Sequence, residues 1–232
     1  MVRVADLTTV RRRWWVRGAD RVAFLHGQCT NDIRRLRPGQ HCYAAFLTAK
    51  GKMRGDADIV CLDDAFLLSS VAELRATLEK FVITEDVTVE PCDLPEHAVW
   101  GVKPAGLAVY DNRLGGWNVI GGQPVGEPVS ADELERMRIE AGVPLWGADM
   151  DENTIPVEAG LAAWAISYEK GCYIGQETIA RIKTYGHVNR HLAQVRVGGK
   201  LALRYVRREL AKPGAVVTVD GEPAEVIKLC GS

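Results

Sequence analysis

Lys170-Gly-Cys-Tyr-Ile-Gly-Gln-Glu177 is the stretch from which the rest of this 232-residue chain can be read. Cys172 stands between Gly171 and Gly175, with Lys170 close before it and a helical pattern opening at Gln176. Flanking glycines let backbone amides or a ligand approach closely. Positive charge and the dipole at a helix N-terminus both favour an ionised sulfur. The competing assignment is a buried thiol serving as a small hydrophobe, the commoner fate of cysteine. Spacing alone therefore nominates Cys172 as a reactive thiol and leaves the structural role open.

Downstream, the helix from Gln176 to Lys183 stops near Gly186, and from His191 the pattern is β-like, with turns at Gly198-Gly199, Pro213-Gly214 and Asp220-Gly221. That tail reads as the start of a small β-barrel of three or four strands, whose open edge must be covered or paired. Upstream, Ser130-Ala-Asp-Glu133 is a capping box that starts a helix, ended by Gly142 and Pro144. Towards the N-terminus, Arg11 to Arg17 reads as a strand and Val22, Phe24 and Leu25 as a short helix. Gln40 to Leu47 and Met53 to Leu62 read as strands joined by a hairpin in which Gly51 supplies a positive φ. Phe66 to Ser69 is a further strand, Val71 to Phe81 has helical spacing, and Val87 to Glu90 is a strand. The order βαβββαβ predicts an α+β fold, with antiparallel sheets covered by helices rather than a doubly wound parallel sheet. Residues 91 to 129 add short strands around Trp100, Val109 and Val119.

Hydrophobic residues make up 47% and charged residues 25%, which excludes a disordered chain and predicts a protein that folds without a cofactor. Six cysteines, at 29, 42, 61, 92, 172 and 230, form no C-x-x-C pair, so neither a zinc ribbon nor a disulfide framework is expected. With no apolar signal region and no stretch near the ~20 apolar residues of a membrane span, the expectation is a cytoplasmic monomer with free thiols. Charge is uneven: residues 181 to 212 carry nine Lys or Arg against one acid, and residues 127 to 177 carry eleven acids against three bases. The basic stretch is either a solvated strand face or an anion-binding surface.

The run KGCYIGQETIAR, Lys170 to Arg181, resembles the signature of the YgfZ family, whose mitochondrial relatives assist iron–sulfur cluster assembly. Thr154-Ile-Pro-Val-Glu-Ala-Gly-Leu161 resembles the P-x-E-x-G-L element of glycine-cleavage T-protein and related folate enzymes. Phe24 to Asp32, the Lys50 to Met53 hairpin and the Arg138 to Gly147 run are similar to the same family, in the same order. The resemblance implies ferredoxin-like subdomains arranged as a ring around a central hole that binds tetrahydrofolate or a related folate. On that reading residues 1–188 form the folate-binding region and 189–232 a short or truncated barrel segment.

The resemblance also implies roles. Cys172 is the essential, catalytic thiol, and Glu158 accepts from the pterin amino and ring N–H groups. Lys170, Gln176 and Arg181 donate to the folate or its glutamate tail, and Tyr173 and Trp164 are candidates to stack on the pterin. Plainer assignments stand beside these: a surface or capping acid for Glu158, core for the aromatics, and for Arg181 a helix-surface pair with Glu177 worth ~0.3 kcal/mol.

The leading function is then a folate-binding accessory protein for synthesis or repair of iron–sulfur enzymes, including those that modify tRNA, with such enzymes or assembly proteins as partners. A tetrahydrofolate-dependent aminomethyl or methyl transferase is the alternative. The cysteine motif and a chain shorter than the usual T-protein speak against glycine cleavage itself. A tRNA-binding module acting through Arg181 to Lys212 ranks last, because no RNA-binding signature accompanies the charge. No stably bound metal is expected: His187 and His191 are four apart, but on a loop and a strand rather than a helix. Asp56 and Asp58 share a strand face; such a pair can do acid–base work, but solvent-facing residues are the favoured assignment. No dinucleotide fingerprint, phosphate loop or serine-nucleophile elbow is present.

Overall fold

Fourteen strands and five α-helices build the computed structural model, which describes residues 1–231. In chain order, β1 (Arg3–Asp6) and β2 (Arg12–Arg17) precede α1 (Arg21–Gln28). β3 (His41–Leu47), β4 (Met53–Cys61) and β5 (Phe66–Ser70) lead to α2 (Arg75–Glu79) and β6 (Thr88–Pro91). β7 (Glu96–Trp100), β8 (Ala108–Asp111), β9 (Trp117–Ile120) and β10 (Glu127–Pro128) come before α3 (Ala131–Ala141), α4 (Ala162–Ala165) and α5 (Gln176–Tyr185). β11 (Arg190–Val197), β12 (Lys200–Arg207), β13 (Val216–Val219) and β14 (Glu222–Leu229) complete the chain.

The first sheet, in order β3-β4-β5-β2-β6, is antiparallel throughout, and β2 to β6 follow the expected βαβββαβ order. Without β3, the order β4-β5-β2-β6 is that of a ferredoxin-like sheet; β3 is an extra edge strand, paired with β4 across the Gly51 turn (φ 75°). The second sheet, β10-β1-β7-β9-β8, contains one parallel pair, β1 with β10. β1 is four residues long, too short for its period to register in the sequence.

The first sheet is buried on both faces. Ile59 and Leu68 face the side covered by the helices, with Leu25 of α1 and Leu78 of α2. Their neighbours Val60 and Leu67 face the opposite side and pack against Tyr110 and Ile120 of the second sheet. The pleat alone produces this alternation, because successive side chains leave a strand on opposite faces.

α3 ties the sheets together. Ser130 caps it by accepting from the Glu133 N–H (3.2 Å), while the Glu133 carboxylate pairs with Arg3 of β1. Gly142, with φ 75°, ends the helix as expected. The third sheet, β12-β11-β14-β13, is antiparallel, and β12 and β13 are its two edges. It docks on the C-terminal end of α3. Gln194 Nε2 donates to the carbonyls of Ile139 (2.7 Å) and Glu140 (3.0 Å), and Lys228 Nζ donates to those of Glu140 (3.4 Å) and Ala141 (3.3 Å). Carbonyls in a last helical turn lack i+4 partners; that of Ile139 also accepts from the Gly142 N–H (3.1 Å), and the side-chain bonds supply donors to those of Glu140 and Ala141. Gln194→Ala should lower stability by about 1–2 kcal/mol through those two bonds. Urea unfolding with an unchanged slope checks this, and a midpoint equal to that of the parent would show that the contact adds nothing.

Candidate functional site

Asp56 and Asp58 of β4 are buried, which corrects the expectation of solvent-facing carboxylates. They do share a strand face, but that face lies beneath the second sheet, a long-range packing that strand periodicity cannot report. Asp58 accepts from Arg11 Nη2 and from Arg113 Nη1, each at 2.8 Å. Arg11 also reaches Glu96 of β7 (3.2 Å) and donates to Ser69 Oγ of β5 (2.7 Å). Glu96 accepts from Ser69 (2.6 Å), from the Tyr110 hydroxyl (2.7 Å) and from Asn118 (3.2 Å). Burial raises the pKa of Asp58, but the Arg113 and Arg11 guanidiniums outweigh it and hold the carboxyl below its usual range. Asp56 behaves oppositely: burial lifts it above the usual range, and the hydrogen bond from the Tyr43 hydroxyl and the charges of Arg11 and Arg113 offset only part of the rise.

Arg11, Arg113, Tyr43 and Asp56 from this network line a cavity of about 330 Å³ between the first two sheets and α3. That lies within the range of small-molecule sites, roughly 300–1,000 Å³. Tyr43, Asp56, Arg11 and Arg113 form its polar side, and Leu7, Leu134 and Leu145 are among its apolar residues. Arg113 has φ 60°, a left-handed conformation that a non-glycine residue adopts only where its surroundings impose it. Its guanidinium lies 4.0 Å from the centre of the Tyr43 ring.

Two buried asparagines on the wall present unpaired atoms. Asn112 Oδ1 accepts from the N–H groups of Leu114 (2.9 Å) and Gly116 (3.0 Å), which fixes the amide and leaves Nδ2 without a partner. Asn118 Nδ2 donates to Glu96 and to the Tyr110 hydroxyl (3.3 Å), leaving Oδ1 unpaired. One unpaired donor and one unpaired acceptor thus belong to residues that line the same cavity as Asp56. Sequence reasoning passed over both asparagines, since isolated asparagines between short strands read as turn residues.

Of the residues nominated from the sequence, Asp56 lines this cavity, while Cys172, Glu158, Lys170, Tyr173, Gln176, Arg181 and Trp164 do not. Glu158 is buried and accepts from Arg190 Nε (2.9 Å), tying the 154–161 segment to β11. Tyr173 belongs to a core cluster with Tyr43, Leu47 and Ile179, and Trp164 packs against that cluster half-buried. Gln176 opens α5, while Arg181 on the same helix is exposed and paired with Glu177 (2.7 Å), the plainer of its two assignments. Lys170 is buried, and its ammonium donates to three backbone carbonyls rather than standing at the surface beside Cys172. All six cysteines are free, and Cys172 is the exposed one. In the basic stretch, Arg190, Arg196 and Arg204 each face a carboxylate: Glu158, Glu225 and Asp220. No helix among the described residues is long and apolar enough to cross a membrane.

The chain is 30% identical over 219 residues to the tRNA-modifying protein YgfZ of Shigella sonnei, covering 76% of this chain and 67% of that protein. It is 28% identical over 249 residues to the mitochondrial iron-sulfur cluster assembly factor IBA57 of Mus musculus, covering 88% and 68%. The crystal structure of glycine cleavage system aminomethyltransferase T from Bartonella henselae superposes with a TM-score of 0.83 at 17% identity, over all of this chain and 86% of that one. No protein-family model matches.

The two aspartates should respond oppositely to substitution. Asp58→Asn leaves Arg11 and Arg113 without their shared anion, and loss of one partner of a buried pair costs about 3–5 kcal/mol. Because the Asp58 pKa is depressed in the fold, its contribution is present above the unfolded value and lost as pH falls through the folded one. The Asp56 pKa is raised, so its contribution is present below the unfolded value and fades as pH rises through the folded one. Asp56→Asn should therefore compare more favourably with the parent at pH 8 than at pH 5 in urea unfolding. The reverse order would refute this assignment of the two groups.

Proposed function

The chain belongs to the YgfZ family, and from that footing we propose that it binds a tetrahydrofolate-type cofactor and acts as an accessory protein in iron–sulfur cluster assembly or repair, including that of enzymes which modify tRNA. The observation that carries the folate reading is the cavity lining, which holds buried Asp56 together with Asn112 and Asn118, whose Nδ2 and Oδ1 atoms respectively have no partner. A pterin presents adjacent N–H donors on its amino-pyrimidinone edge together with a carbonyl acceptor. An aspartate and two amides suit that set, and buried polar groups normally have a partner. Asp56, Asn112 and Asn118 would hold the head group, with Leu7 and Leu134 against its faces. Bound there, a tetrahydrofolate supplies nitrogens that carry a one-carbon unit.

The accessory role is supported by the names borne by the relatives and by Cys172, the thiol that a partner protein can reach. A single cysteine does not hold a cluster, for which four ligands are typical. A cluster handled at Cys172 would draw its other ligands from an iron–sulfur enzyme or assembly protein. A second reading, one-carbon transfer, is favoured by Asp56. A carboxyl at the cavity wall whose pKa burial raises holds its proton to higher pH than an ordinary aspartate, which suits a group that exchanges a proton with a ligand.

Calorimetry with tetrahydrofolate should show binding to the parent, with affinity at least tenfold weaker in Asp56→Ala and in Asn112→Ala. No binding to ligand-free parent protein would refute the folate reading. Cys172→Ala should bind folate like the parent yet fail to restore iron–sulfur enzyme activity in cells lacking the protein. Full restoration by that variant would reduce Cys172 to a structural thiol. Turnover of a one-carbon donor that disappears in Asp56→Asn would favour the transferase.

A further inference from the structure

Besides the burial of the Tyr173 side chain in the core, the segment that presents Cys172 is held by hydrogen bonds at two points. The first is Lys170, whose ammonium donates to the carbonyls of His26 (2.6 Å), Cys29 (2.6 Å) and Asn31 (3.0 Å). These three bonds employ all the donors an ammonium has. The carbonyls lie at and just beyond the C-terminal end of α1, where backbone acceptors lack helical partners and the helix dipole favours a cation. No ion pair to Lys170 is present among the described residues, so the carbonyls alone compensate most of its burial, with the Tyr173 ring 4.9 Å away. The second point is Ile174, whose N–H donates to the Gly27 carbonyl (3.1 Å) on the same helix. Gly175 follows in a left-handed conformation (φ 84°), seated so close to the β3–β4 hairpin that a Cβ would lie 2.6 Å from the Thr48 carbonyl oxygen. Between the two anchors Gly171 and Cys172 are exposed, and Gly171 has open space on its Cβ side.

We propose that Lys170 is a positioning residue for Cys172: seated on the carbonyls at the end of α1, it fixes one end of a short span whose other end is Ile174, so that the thiol projects outward in one place. The proposal rests on the reading in which Cys172 acts on a partner. It adds that the loop must be docked on α1 for the thiol to act. The neighbouring lysine in the motif then serves as a mechanical anchor, not as a charge beside the sulfur. Lys170→Met preserves the aliphatic stem but takes the ammonium away from three carbonyls, of which only that of Asn31 keeps another side-chain donor, the Cys29 thiol (3.5 Å). A glutamine restores at most two bonds. Asn31 extends the same anchor inward, since its side chain donates to the carbonyls of Tyr43 (2.9 Å) and Trp164 (3.1 Å).

The test compares the parent, Lys170→Met and Lys170→Gln by hydrogen exchange, by alkylation of Cys172 with iodoacetamide read on its peptide, and by restoration of iron–sulfur enzyme activity in cells. In Lys170→Met, amides 171–175 should exchange at least tenfold faster while unfolding stays cooperative and Cys172 still alkylates. Restoration should fall to the level of Cys172→Ala, with Lys170→Gln between the two. A reactive, accessible thiol without function separates positioning from general loss of structure. Unchanged exchange in the loop would overturn the anchor. A released loop with full restoration, while Cys172→Ala fails, would overturn the positioning role and leave the Cys172 reading standing. Full restoration by Cys172→Ala would instead strike the reading on which the proposal rests. Should the variants not fold, reductive methylation of the parent decides: Lys170 should resist reagent that modifies Lys50, and equal modification would overturn the anchor.

Discussion

Arg11 is the residue on which the two five-stranded sheets converge. Its guanidinium joins Asp58 of β4 to Glu96 of β7, and Arg113, from the loop after β8, reaches Asp58 from the other side. Two buried carboxylates would repel and would each resist desolvation; two arginines between them make the burial tolerable. The position of the first sheet against the second follows from this contact, and with it the cavity, because Arg11 and Arg113 also form part of its wall. A purely apolar seam would leave the relative placement of the sheets less closely specified, since hydrophobic packing has no direction.

Much of the fold was legible in local pattern. The order βαβββαβ, the α3 caps and the glycine turns of the third sheet all rest on interactions within a few residues, and these a sequence displays. β1 was missed because four residues carry no readable period. Helix α2 proved shorter than its apolar spacing implied, spanning Arg75–Glu79. The misreading of Asp56 and Asp58 has a different origin. Their strand is flanked on both faces by elements distant in the chain, and only the assembled sheets reveal that the polar side is interior.

The candidate site divides in the same way. Cys172 stood out because glycines, a lysine and a helix start surround it in sequence, and its exposure among six cysteines agrees with a thiol that meets other molecules. Lys170 was noticed for its charge, but the structure uses that charge to satisfy carbonyls at the end of α1. Asn112 and Asn118 carried no signal at all: each becomes conspicuous only when its remaining hydrogen-bond partners are counted. The sequence motif and the cavity are therefore separate features on one scaffold, joined through the turn after α1, where Asn31 meets both Lys170 and the Tyr43 strand.

The cavity is also a place where the chain forgoes stability. A buried amide atom without a partner costs about 1–3 kcal/mol, and Asn112 and Asn118 each carry one. Arg113 adds a left-handed backbone, a conformation worth of order 1–3 kcal/mol in strain. Aspartate 56 is held where its charged form is disfavoured. These penalties gather on one wall of the cavity, opposite apolar residues, where the proposed ligand would offset them. A ligand present at 100 times its Kd would return about 2.7 kcal/mol by mass action, comparable with the penalty of one or two of these groups.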